Sequence, residues 1–125
     1  MRFMMIMKPN ISEDEWPTDP AQMAELPEFI AMGKYNDELT KAGVLLALDG
    51  LEPTAKGARV SFAGGKPSVT DGPFTEAKEL IGGYWLIQAR TKEEAVEWAS
   101  RCPANDGDVI EVRQVFESSG FDEAS

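Results

Sequence analysis

The chain has no histidine among its 125 residues. That absence removes the commonest general base, the usual activator of a serine nucleophile and the usual zinc ligand together. Only one cysteine, Cys102, is present, so no internal disulfide can form, in keeping with a reducing compartment. Cys102 follows closely on a predicted helix, whose negative C-terminal end disfavours a thiolate, and it reads as a small buried apolar residue rather than a nucleophile. Bases are few: 12 Lys and Arg stand against 22 Asp and Glu, a net charge of -10, and they are scattered rather than gathered into a stripe. This argues against direct nucleic-acid binding, which needs concentrated Lys and Arg. No apolar run approaches the ~20 residues of a membrane span, and the apolar residues 1–7 are far shorter than a signal-peptide core with its flanks; a cytoplasmic location is expected. Neither GxGxxG nor the Walker spacing occurs, and Asp106-Gly107-Asp108 has too few ligands for a calcium loop, so no cofactor and no metal are expected.

What the chain does have is 42 % apolar residues spread along one domain-sized length. That supports a single core over residues 1–117, followed by a polar, acidic tail at 118–125 that should fray. Residues 2–8, rich in Met and Ile, read as a first strand ended by Pro9, which cannot donate to a ladder. An acidic loop over residues 10–19 carries a lone aromatic, Trp16. Asp19-Pro20 then forms an N-cap and first helical position. Met23, Leu26, Ile30, Met32, Tyr35, Leu39 and Ala42 form an apolar stripe of helical spacing that Pro27 should interrupt, giving a long piece over about residues 28–42 stopped by Gly43. Residues 44–51 read as a second strand, and 59–63 and 66–70 as a hairpin around Gly64-Gly65. Residues 80–89 form the strongest predicted strand, and Thr91 to Glu94 open a second helix with Ala95, Trp98 and Ala99 inward. A closing strand spans residues 108–117.

The order β-α-β, hairpin, β-α-β is that of a ferredoxin-like α+β unit with an inserted hairpin and helices on one face of an antiparallel sheet. Trp85, Ile87, Ile110 and Val112 point to more apolar sheet surface than one helical layer covers, so two sheets should pair in a homodimer. Residues 70–86 read TDGPFTEAKELIGGYWL, and this stretch resembles the DGPF motif of the YCII-related family. The resemblance runs from Tyr35 through Glu38, Leu39, Ala42 and Gly43 to Ile110, Glu111, Val112 and Arg113, about three quarters of the chain. It implies a dimeric α/β barrel and, for most members, no established activity. Relatives with dechlorinating or proposed hydrolytic activity look as if they use a His/Asp pair, whose histidine has no counterpart here. Proximity of family members to sigma factors of the extracytoplasmic-function type implies a regulatory partner, which an acidic surface could meet through basic regions.

Asp71 is the candidate catalytic residue, with two readings open. It either caps the following amides in an Asx turn, with Gly72 at positive φ and Phe74 filling the core, or serves as a general base at a pocket mouth near Lys78 or Arg113. Glu111 and Arg113 alternate onto one face, where they pair with each other or receive an anionic ligand. Gly82-Gly83 marks a bulge or a close backbone approach, with the bulge favoured. Trp16 must pack somewhere, anchoring its loop or covering a pocket or partner. The candidate ligand-binding set is therefore Arg113, Glu111, Lys78 and Trp16. The inventory favours a non-catalytic accessory module that binds a small molecule or a protein. A small cofactor-independent enzyme using Asp71, with Arg113 or Lys78 steadying an anion, and a purely structural interaction domain are the alternatives.

Overall fold

The computed structural model describes residues 1–74 and 80–117. Six strands and three α-helices follow one another: β1 Arg2–Lys8, α1 Pro20–Met23, α2 Pro27–Lys41, β2 Leu45–Gly50, β3 Ala58–Ala63, β4 Lys66–Asp71, β5 Gly83–Gln88, α3 Lys92–Ser100 and β6 Val109–Gln114. The four-stranded sheet runs β2-β5-β1-β6 with antiparallel pairings throughout, and β3-β4 form a separate two-stranded ribbon. This is the expected α+β order, with β5 central and the hairpin inserted between β2 and β5. A single chain closes no barrel.

The helix boundaries follow local chemistry. Asp19 accepts a hydrogen bond from the Ala21 amide, and Pro20 and Pro27 each open a helix at a position where a missing N–H costs nothing. Gly43, at φ +73°, ends α2 in the left-handed region. Thr91 accepts from the Glu94 amide to start α3. In the ribbon, Gly64 (φ +59°) and Gly65 (φ +78°) both occupy the left-handed region, as a two-residue primed turn requires.

The core lies between the helices and one sheet face: Phe3 and Met5 from β1, Trp85 and Ile87 from β5, Tyr35 and Leu39 from α2, with Ala89 and Ala95. Two polar handles lock it. The Tyr35 hydroxyl donates to the Trp98 carbonyl at 2.6 Å, and the Trp85 indole N–H donates to Asn36 Oδ1 at 2.8 Å. The two rings meet edge to face with centroids 5.8 Å apart. Burial pushes the Tyr35 phenol up, so it stays a donor. Cys102 packs against the core with its thiol donating to Met32 Sδ at 3.8 Å, and burial, followed by the charge of Asp108, pushes its pKa up to about 11. At neutral pH it is a protonated, inert thiol.

Several expectations change. Ile30 (49 % exposed) and Ala42 lie on the outer side of α2, so the inward stripe is Met32, Tyr35 and Leu39. The register pairs Met5 with both Trp85 and Val112, which puts Trp85, Ile87, Ile110 and Val112 on the helix side; the uncovered face carries Met4, Ile6 and Leu86 instead. The irregular register falls in β2, between Leu45 and Ala47, and not at Gly82-Gly83. A Cβ at Gly83 would come within 2.7 Å of the Asp49 carbonyl oxygen, and one at Gly82 within 3.2 Å of the Pro9 ring, so close approach explains that pair. Gly72 has no positive φ either; a Cβ there would collide with the Thr54 carbonyl. Phe74 is half-buried outside the core, beneath the Arg59 guanidinium. The tail beyond residue 117 lies outside the described residues.

Leu39 is fully buried whereas Ile30 is not, so Leu39→Ala should cost about 3 kcal/mol and Ile30→Ala less than ~1 kcal/mol in urea unfolding. Equal costs would contradict this assignment of the inward face.

Candidate functional site

At the end of the sheet where β1 and β2 finish and β5 and β6 begin, the chain leaves a cavity of about 510 Å³. Its walls come from the loop after β1, the N-terminal half of α2 and the strand ends. Sequence dictates this opening. Pro9 stops β1, the glycine pair lets β5 start tight against β2 and Pro9, and Pro27 opens α2, whose first half lines the space. The lining is chiefly apolar, with Trp16, Phe29, Met32, Leu48 and Trp85 contributing its ring and aliphatic surface. A space of this size and character suits a small organic ligand.

Trp16 is the roof. Its side of the loop turns over residues 13–15, where the Glu15 carboxylate accepts from the amide and hydroxyl of Ser12, a reciprocal cap that lowers its pKa. The Trp16 indole N–H donates to the Leu51 carbonyl at 3.0 Å, and the residue is only 9 % exposed. An isolated tryptophan in a polar loop thus both anchors the loop and walls the cavity. Glu13 adds a second tie by accepting from the Ala55 amide at 2.8 Å.

The other expected site residues lie elsewhere. Asp71 is exposed at the end of β4, opposite Ala58, and does not line the cavity. Its carboxylate accepts no hydrogen bond among the described residues; the neighbouring amides go elsewhere, Gly72 N–H to the Gly57 carbonyl and Phe74 N–H to Thr54 Oγ1. The described part of the DGPF segment is therefore docked on residues 54–57 by its backbone. Glu111 accepts from Lys8 Nζ at 2.9 Å, with Arg113 Nε 3.9 Å from its other oxygen, on the sheet face opposite the helices. Lys8, first by hydrogen bond and then by charge, holds the Glu111 carboxyl below the usual range. Lys78 lies outside the described residues. Among the described residues of that set, Trp16 lines the cavity and Glu111 and Arg113 do not.

Sequence reasoning missed Phe29, Met32, Leu48 and Asn36 as cavity residues. Met32 stood out only as one of a core stripe. Asn36 is a polar residue next to the inward-facing Met32, Tyr35 and Leu39 of α2, a signal that could have marked the place where an indole needs an acceptor.

Among the described residues, no group of three or more His, Cys, Asp and Glu is placed to hold a metal, and no helix is long and apolar enough to cross a membrane. The Uncharacterized protein R00369 of Rhizobium meliloti (strain 1021) is 37 % identical over 59 residues, 47 % of this chain and 48 % of that protein. The chain thus aligns with about half the length of this curated relative. The YCII-related domain matches residues 1–119, nearly the whole length, and the chain belongs to the YCII-related family.

Proposed function

We propose that this protein is a dimeric, non-catalytic binding module that takes a small, largely apolar molecule into the cavity beneath Trp16. The single observation that carries the reading is the cavity itself, about 510 Å³ walled by Trp16, Phe29, Met32, Leu48 and Trp85. The two carboxylates singled out from the sequence, Asp71 and Glu111, are not among its lining residues. Asp71 sits on the ribbon, and the Glu111 carboxylate is engaged by Lys8 on the opposite sheet face. The DGPF segment on this reading is a docking turn, fixed by Gly72 against Thr54.

Support for a homodimer comes from the uncovered sheet face and the ribbon. Met4, Ile6 and Leu86 form an apolar strip flanked by the Lys8–Glu111 and Tyr84–Asp49 pairs, and Val60, Phe62 (77 % exposed) and Val69 stand out on β3 and β4. An apolar strip rimmed by polar pairs on a self-complementary sheet face suits a second copy, which would yield a two-sheet barrel. A protein partner of the sigma-factor type would then meet the acidic exterior.

N-phenyl-1-naphthylamine, a neutral fluorescent probe, should bind once per chain in roughly the micromolar range. Leu48→Trp, which fills the space while keeping β2, should weaken it at least about tenfold with an unchanged circular dichroism melt. Equal binding by the folded variant would overturn the assignment to this cavity. Light scattering after gel filtration should give twice the 13.7 kDa chain mass, and Ile6→Asp should return the folded monomer. A monomeric wild type at micromolar concentration would contradict the dimer.

A further inference from the structure

The charge around the cavity is one-sided. Four lining residues, Glu15, Glu28, Asp49 and Asp108, carry carboxylates, and no Lys or Arg lines it among the described residues. Only Lys78 of the chain's 12 bases lies outside those residues. Among the described residues none of the four carboxylates has an ion-pair partner. Glu15 accepts from Ser12, Asp49 from the Tyr84 hydroxyl at 2.9 Å, and Asp108 from the amides of Asn10 and Asn105 at 2.8 and 2.9 Å. These are neutral donors that leave the negative charge uncompensated. Glu15 and Glu28 are exposed at the rim rather than set in the apolar interior, whereas the Asp49 carboxylate turns with Tyr84 to the uncovered sheet face.

The indoles offer an anion no free donor. Both cavity indoles have spent their N–H groups, Trp16 on the Leu51 carbonyl and Trp85 on Asn36 Oδ1. What they still offer is ring surface, which attracts cations electrostatically. The N-terminus of α2 does not reverse this balance. Glu28 stands in its first turn, and the amides of Phe29 and Ile30 are already bonded to the Leu26 carbonyl.

We infer that the cavity selects an apolar cation: an aromatic or alkyl amine, or a quaternary ammonium, with its apolar body against Trp16, Phe29 and Trp85 and its charged head at the acidic mouth. This rests on the reading of the cavity as a ligand site and narrows its ligand class. An anionic acid of the same shape is repelled by the mouth and finds no cation inside.

The test uses three naphthalene probes of similar shape on the full chain: (2-naphthylmethyl)trimethylammonium, its neutral neopentyl isostere and 2-naphthylacetate, titrated by calorimetry at low salt. The cation should bind at least about tenfold tighter than the neutral probe, and the anion more weakly than either. In Glu15→Gln/Glu28→Gln the cation's advantage should shrink severalfold while the neutral probe's affinity stays the same. About 0.5 M NaCl should shrink it likewise. Equal binding of cation and neutral probe, or preference for the anion, overturns the cationic class and leaves the cavity reading standing. Binding of no probe at millimolar concentration overturns both.

Discussion

The Trp85 indole N–H donating to Asn36 Oδ1 at 2.8 Å is the contact on which the arrangement depends. A buried indole without an acceptor loses a hydrogen bond it would keep in water, a penalty of about 1–3 kcal/mol, which the placement of Asn36 over β5 avoids. Tyr35, one residue earlier, then meets Trp85 edge to face and reaches the Trp98 carbonyl, tying α3 into the same layer. With Tyr35, Asn36 and Leu39 fixed over the strands, the N-terminal half of α2 lines the cavity at the sheet end through Phe29 and Met32.

The cavity also has a roof. The acidic loop supplies one through Trp16, held by the Leu51 carbonyl, while Glu13 on the Ala55 amide fixes the loop to the turn on which Gly72 and Phe74 dock. The loop, that turn and the DGPF segment thus form one connected brace on the β2 side of the cavity. Cavity and turn residues are separated along it: Trp16 lines the cavity, and Gly72 excludes a side chain that would strike Thr54.

Much of this architecture is legible from local chemistry. Asp19-Pro20, Pro27, Gly43, Gly64-Gly65 and Thr91 each act through one or two neighbouring residues, so their positions mark element ends directly. The face assignments are less legible because they depend on register. Ile30 satisfies a helical spacing yet points outward, and the Gly82-Gly83 pair reads as a bulge until β2 and Pro9 are seen against it. The cavity was hidden for the same reason: Trp16, Phe29, Leu48 and Trp85 come from four elements, and no spacing links them. Asp71 drew attention because a carboxylate before Gly-Pro is a strong turn signal, but a turn signal does not report what surrounds the turn.

The central claim is that the space beneath Trp16 is where ligand binds. The chain's three tryptophans divide cleanly for this purpose, since Trp16 and Trp85 line the cavity and Trp98 does not. Fluorine NMR of 5-fluorotryptophan-labelled protein, assigned with single Trp→Phe variants and titrated with (2-naphthylmethyl)trimethylammonium, reads all three at once. The account predicts that the Trp16 and Trp85 resonances move together along one saturating curve while Trp98 stays in place. Movement confined to Trp98, or three unmoved resonances at saturating probe, would contradict it.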